Sequence, residues 1–305
     1  MVFALLLCLL TGCREPSSTA EDVISFTDAL GRRVSVPRNV PRVAALLGSF
    51  AEIWVLAGGT LCASTEDAWS DFGLAQGDAV NIGGAHSPGL ERLLASDPQF
   101  VLASASTAAH VAMKDTLETL DIPVAYFDVD HFEDYLSMLE ICTAITGRRD
   151  LYEQNGLRVQ RQIAQIKSRP AVENLPEERS KILLLRAASD FVKAKGSQGT
   201  ILGEMLADLG CVNIADRDGS LLENLSIEAV LRENPYRIFV VTMGNDPEKA
   251  QKTLEKLMEE NPAWRSLDAV KNGRLHVMEK RLFNLKPNVR WAESYEILYE
   301  LLTEE

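Results

Sequence analysis

A polar stretch at 148–169 divides the chain into two parts that can be laid on one another. Its apolar residues are few: Tyr152, Val159, Ile163 and Ile166, at spacings of seven, four and three. That is helical periodicity with a narrow buried stripe. Gly147 ends the helical stretch before it and Pro170 closes it, because proline has no N–H with which to continue the ladder. About twenty residues at 1.5 Å each make a rod of about 30 Å. Taken alone, the stretch reads as an ordinary surface helix. Its flanks make it a strut between two similar bodies.

Each flank alternates strand and helix. At 23–37, Ile24, Phe26, Val34 and Val36 alternate around a turn at Ala29-Leu30-Gly31 and predict a β-hairpin. A strand is expected at 42–47, a helix at 50–57 ended by Gly58-Gly59, and a strand at 61–65. Strand, helix, strand is a βαβ unit and implies a parallel sheet. Strands at 100–104 and 123–127 enclose a helix at 109–120, and a helix at 132–146 leads into the polar stretch. Beyond Pro170 the plan repeats, with strands at 181–186, 237–242 and 275–278 and helices at 200–209, 247–259 and 290–302. The expected fold is α/β: two lobes, each with a central, mainly parallel sheet flanked by helices, joined by one long backbone helix. The expected divisions are a signal at 1–13, a tether at 14–22, lobes at 23–146 and 173–305, and the linking helix at 147–172.

One internal match ties the halves together. Residues 90–102 can be laid on 227–239. In both, a short helix runs into an Asx-Pro step, Asp97-Pro98 or Asn234-Pro235, and then into a buried strand. A residue before proline avoids the α conformation, so each helix stops there. Each helix opens with a glutamate, Glu91 or Glu228. A carboxylate at that end gains roughly 0.3–1 kcal/mol from the helix dipole, which is reason enough for a single glutamate. Two at equivalent places read as a matched pair of charges.

The chain has 305 residues, with 44 acidic against 31 basic side chains and a net charge of -13. That balance repels phosphate polymers and excludes nucleic acid as a partner. Four histidines are too few for a histidine-rich metal protein. The first ten residues are nearly all apolar and lead into Leu10-Thr11-Gly12-Cys13. This reads as a signal segment and resembles the lipobox of bacterial lipoproteins, whose cysteine is acylated and becomes the new N-terminus. A buried N-terminal strand or helix is the other reading of the run. The run is far too short to span a bilayer core of about 30 Å. No Lys or Arg precedes it, as expected if the natural start lies upstream of Met1. Lipid at Cys13 would hold the protein at the outer face of a membrane, on a flexible tether rich in Ser, Thr, Pro and acid. Cys62, Cys142 and Cys211 are odd in number and sit in apolar surroundings, so they read as buried thiols, not a disulfide framework.

Together these features resemble the helical-backbone substrate-binding proteins of ABC importers, above all those that carry iron-siderophores, haem and vitamin B12. The resemblance covers nearly the whole chain after the tether. It rests on the two αβ lobes, the linking helix and the paired Glu-to-Pro segments. The opening 26–34 stretch, Arg42-Val43-Ala44-Ala45-Leu46 with Ala51-Glu52-Ile53, and the 206–215 segment also follow the family's order. Gly48 departs from it, since many relatives have proline after the first strand. The resemblance implies a stiff receptor with no catalytic residues and no intrinsic cofactor. Its cargo would be an iron chelate, haem or a corrinoid. It would act as a monomer, extracytoplasmic and lipid-anchored, and dock through Glu91 and Glu228 on arginines of an ABC permease dimer served by ATPase subunits.

In parallel αβ lobes, ligands gather at the carboxyl ends of the strands. The loops there offer Ser49, Phe50, Asp67, Trp69, His86, Ser106 and His131 from the first half, and Arg186, Lys193, Lys195, Met243, Phe283 and Lys286 from the second. Phe50, Trp69 and Phe283 are candidates for stacking on a flat ligand. His86 is a candidate axial ligand to iron or cobalt carried in a chelate or haem, with Met243 opposite it. Arg186, Lys193 and Lys195 are candidates for pairing with carboxylates of the cargo, although a solvated strand face is the better reading of the two lysines. Two alternatives come from other classes. A zinc or manganese receptor would need donors such as His86, His131 and Asp67 to converge. A hydrolase would need Ser49, His86 and Asp67 as a triad, but there is no Gly-x-Ser-x-Gly elbow, Walker loop or His-Glu-x-x-His.

Overall fold

A computed structural model describes residues 23–244 and 246–304. The signal segment, Cys13 and the tether therefore lie outside the described residues. The opening hairpin pairs β1 (Val23–Thr27) with β2 (Arg33–Pro37) antiparallel, Phe26 opposite Val34. Asp28 ties its turn down. One carboxylate oxygen accepts the N–H groups of Leu30 and Arg32, and the other takes the Arg32 guanidinium and the Tyr126 N–H.

The first lobe holds β3 (Val43–Ala45), β4 (Leu61–Ser64) and β5 (Val80–Asn81). A small hairpin of β6 (Gly83–Gly84) and β7 (Ser87–Pro88) follows, then β8 (Phe100–Ser104) and β9 (Val124–Phe127). Its sheet runs β5-β4-β3-β8-β9, with every pair parallel. Every residue of β8 and β9 is buried, as a parallel sheet covered on both faces requires. The second lobe contains β10 (Lys181–Ala187), β11 (Val192–Ala194), β12 (Val212–Asn213), β13 (Arg237–Thr242) and β14 (Leu275–Met278). Its order is β11-β10-β13-β14, with β12 also on β10. Only β11 runs antiparallel, at the edge.

The internal match survives in detail. The helix Leu90–Ala95 feeds β8 and the helix Ile227–Glu233 feeds β13. Asp97 and Asn234, the residues before the prolines, both take left-handed backbone, with φ of 49° and 40°. Asp and Asn tolerate that conformation better than most side chains. The expected helix at 109–120 is instead two short ones, Ala108–Val111 and Lys114–Thr119.

The linking helix is not one uniform α-helix. Arg149–Tyr152 is α, Glu153–Leu157 is a π turn, and Arg158–Lys167 is α again. The predicted stripe is right: Tyr152, Val159, Ile163 and Ile166 are all buried. The π turn has a local cause. Asn155 is buried, its side-chain amide donates to the Leu56 carbonyl at 2.8 Å, and its carbonyl accepts the Tyr135 hydroxyl at 2.8 Å. Gly156 presses against the 132–146 helix, where a Cβ would come within 2.7 Å of Leu136 Cδ1. These bonds hold the strut to the first lobe. Its second half packs on the final helix, Trp291–Thr303, and Arg169 grips Glu296 with two nitrogens. One apolar core runs from Phe50, Phe127 and Tyr135 through Val159 and Ile163 to Phe239, Leu282 and Trp291. Sliding one lobe on the other would expose that core, so large independent motion is opposed by the hydrophobic effect. Cys142 and Cys211 are buried free thiols and Cys62 is half-buried.

Candidate functional site

The loop after β3 is set by Gly48. Its N–H donates to Asp67 Oδ2 at 2.8 Å, and a Cβ there would lie 2.6 Å from the Ala68 nitrogen. Proline would lose the donor, which is the physical reason for the glycine. We expect Gly48→Ala to lower stability by about 1–3 kcal/mol, as overpacking does, seen as a lower urea midpoint with unchanged slope. Asp67 is therefore committed to this turn, although its second oxygen is buried without a partner.

Several candidates prove structural. Phe50 is 0 % exposed and meets Phe127 edge-on, with ring centroids 6.1 Å apart. Phe283 is 2 % exposed and belongs to the shared core. Neither ring presents a face for stacking, because each lies on the inner side of its short helix. Ser49 is buried, and its carbonyl accepts the Asn288 side-chain amide at 2.9 Å. Trp69 is half-buried against the core with its Nε1–H enclosed and unpartnered. His86 is exposed at the tip of the β6–β7 hairpin, and Ser106 is exposed with its hydroxyl 3.0 Å from that of Ser104.

The second lobe contributes positive charge. Arg186 stands opposite Lys193 in the β10–β11 register, and the Lys195 N–H donates to the Leu184 carbonyl at 2.9 Å. Met243 lies beside them, its N–H donating to the Ala187 carbonyl at 2.9 Å. Arg186 is half-buried, its Nε enclosed and unpartnered, and among the described residues it meets no carboxylate. Burial lowers its pKa from the usual 12.5. Lys195 is lowered by burial, then by the charges of Arg186 and Lys193. Lys193 and Lys195 border a depression of about 760 Å³ with Gln198, Thr200 and Asp216. By contrast Arg32, Arg148, Arg169, Arg281 and Arg290 each hold an acid. Lys286 is half-buried; burial lowers its pKa against the opposing pull of Asp130, Asp128 and Asp134.

A clasp crosses between the lobes. Arg281 pairs with Glu52 at 2.6 Å and lies over the Phe72 ring, while Asn288 donates to the same Glu52 oxygen at 2.6 Å. Lys280 pairs with Asp71 at 3.1 Å. The 280–290 segment is thus pinned to the first lobe. His131 instead caps the 132–146 helix and stands 3.6 Å from Glu204. Among the described residues no three His, Cys, Asp or Glu side chains come together to hold a metal ion. Among these residues the zinc or manganese alternative finds no donor set.

Residues 43–282 match the periplasmic binding protein family. The chain belongs to that family. Among the relatives of this periplasmic binding protein, the iron-uptake system-binding protein of Bacillus subtilis (strain 168) is 25 % identical over 192 residues. The match covers 62 % of this chain and 58 % of that one. The putative ABC transporter substrate-binding lipoprotein YhfQ of the same organism is 22 % identical, with 98 % of this chain and 95 % of that one covered. In fold, the protein is similar to Staphylococcus aureus SirA complexed with staphyloferrin B. The TM-score is 0.69 at 21 % identity, covering 92 % of this chain and 99 % of SirA. The family and these neighbours are binding proteins. No helix among the described residues is long and apolar enough to cross a membrane.

In this periplasmic binding protein, Glu91 and Glu228 are both exposed near the starts of their matched helices. Glu228 accepts from the Ser226 hydroxyl at 2.9 Å, and its pKa is lowered by its own backbone N–H and then by Ser226. The residue that sequence reasoning missed is His110. Its ring is fully buried, and burial lowers its pKa from 6.5. Burial lowers His276 in the same way. The sign follows. The unfolded chain binds protons at these sites more readily than the folded one, so their stabilisation is complete above about pH 6.5 and is lost as pH falls below it. Urea midpoints should drop between pH 7 and pH 5, and His110→Gln should flatten that slope.

Proposed function

We propose that this protein is the receptor of an ABC importer and captures an anionic iron chelate between its lobes. A siderophore with free carboxylates suits the site better than a neutral corrinoid. The observation that carries this is Arg186, a half-buried guanidinium with its Nε enclosed and, among the described residues, no acid to pair with, in a chain of net charge -13. A carboxylate of the cargo would give it charge-assisted, bidentate bonds. Lys193, Lys195 and Met243 flank it, and Trp69, His86 and Ser106 face the cargo from the first lobe. The protein performs no chemistry on its cargo.

Tryptophan-fluorescence titration with ferric citrate, haemin and cyanocobalamin tests this. Saturable quenching by ferric citrate and none by cyanocobalamin is the expected result; preference for cyanocobalamin would overturn it. Haemin is the second reading, because its propionates would satisfy Arg186 equally and His86 stands exposed. A Soret shift lost in His86→Ala would select it.

Delivery runs through Glu91 and Glu228 to arginines of the permease, and Cys13 carries the lipid that holds the 23–146 and 173–305 lobes outside the cell membrane. We expect Glu91→Ala with Glu228→Ala to leave the cargo Kd unchanged and to reduce uptake by whole cells at least tenfold, since charge pairs fix register at such contacts. Unchanged uptake would remove both residues from that role.

A further inference from the structure

His110 touches two of the proposed cargo loops at once. Its Nδ1 accepts the Ser104 N–H at 3.1 Å, at the carboxyl end of β8 and two residues before Ser106. With that nitrogen an acceptor, the proton is on Nε2, which faces the Ala85 carbonyl at 2.7 Å. Ala85 precedes His86 at the tip of the β6–β7 hairpin. The base of the hairpin is held elsewhere, the Glu66 N–H donating to the Gly83 carbonyl at 2.9 Å and the Gly83 N–H to Asn81 Oδ1 at 2.8 Å, whereas the His110 bond acts at the tip. The hairpin's four strand residues are Gly83, Gly84, Ser87 and Pro88, and Gly83 sits at φ +100°. Glycine-rich backbone is costly to order. The ring itself is enclosed, being 0 % exposed, and its backbone is held by the Tyr126 hydroxyl, which donates to the His110 carbonyl at 3.0 Å.

We propose that His110 is a positioning residue for cargo binding, a clamp that fixes the His86 hairpin against the Ser104–Ser106 loop. It does not touch cargo. It sets the separation of the two loops that do, and so the width of the first lobe's side of the site. This rests on the receptor reading above for its consequence, but the clamp itself can be tested without cargo.

Two substitutions split the two bonds. The side-chain oxygen of His110→Asn can replace Nδ1 but its amide falls short of Ala85. The amide of His110→Gln reaches the place of Nε2 and gives up the Ser104 bond. Hydrogen-exchange protection is measured on the intact protein at one pH. The expected result is protection lost at 83–88 in His110→Asn and kept in His110→Gln, with the reverse at 104–107. Ferric citrate affinity should fall about tenfold in each, the equivalent of one hydrogen bond, with the 181–304 region unchanged. Equal protection of 83–88 in both variants would overturn the clamp. If either variant fails to fold, the ring ¹⁵N shifts of the wild type decide: a proton on Nδ1 instead of Nε2 overturns it. If the wild type binds no ferric citrate while the exchange pattern appears as stated, the cargo reading fails and the clamp stands.

Discussion

Arg186→Gln will weaken binding of an anionic iron chelate by about 10- to 100-fold, the range expected for losing a hydrogen-bonded charge pair. The same substitution will not lower stability. The guanidinium is half-buried, its Nε enclosed, and among the described residues it meets no acid; burial lowers its pKa, so the fold disfavours its charge. Replacing it with a neutral amide removes that penalty, so the thermal midpoint should hold or rise. Loss of binding with retained stability is what separates a ligand-facing arginine from a structural one. A fall in the thermal midpoint with unchanged affinity would place Arg186 in the scaffold. Lys193→Gln should act in the same direction and more weakly, because Lys193 is exposed and lies over the Phe191 ring and its charge is screened by water.

Arg281→Met will destabilise the protein by about 3 kcal/mol. The Glu52 and Arg281 side chains are only 15 % and 13 % exposed, and breaking a buried pair from one side strands the other charge. In the variant, Glu52 keeps the Asn288 hydrogen bond and the more distant charge of Arg290. The double substitution Glu52→Gln with Arg281→Met should cost less than Arg281→Met alone plus Glu52→Gln alone, since no charge is left behind. Strict additivity in urea denaturation would show that the two side chains do not act as a pair. The Lys280–Asp71 bridge is more open, at 24 % and 29 % exposed, and its removal should cost no more than about 1 kcal/mol.

Much of the architecture is legible in the residues, for identifiable reasons. The lobes announce themselves because buried parallel strands such as 182–185 and 238–241 are unbroken apolar runs. The strut declares its buried face because four apolar side chains stand out in a polar stretch. The matched segments are visible because an Asx-Pro step is a local signal. The site is less legible, because exposure depends on packing between distant segments. Phe50 and Phe283 look like loop aromatics, yet both turn inward to the shared core. Nothing near Glu52 in the sequence announces Arg281, 229 positions away. His110 carries a faint signal, a lone histidine in an alanine-rich stretch just after a strand, and its role appears only once Ala85 is brought beside it. Gly48 is readable as an oddity in its loop and the Asn155-Gly156 step is not, and the partners of both, Asp67, Leu56 and Tyr135, are set by tertiary structure.

The π turn at Glu153–Leu157 carries one residue more than an α turn would hold. Each residue in a helix advances the phase by about 100°. Deleting Gly156 would therefore either restore a straight α rod and rotate everything downstream, or strip Asn155 from Leu56 to keep the rotation unchanged. The angle at which the second lobe is presented is thus encoded as an integer, a count of residues in the strut. Relatives that differ by one residue here should face their transporter with the lobes turned to a different azimuth.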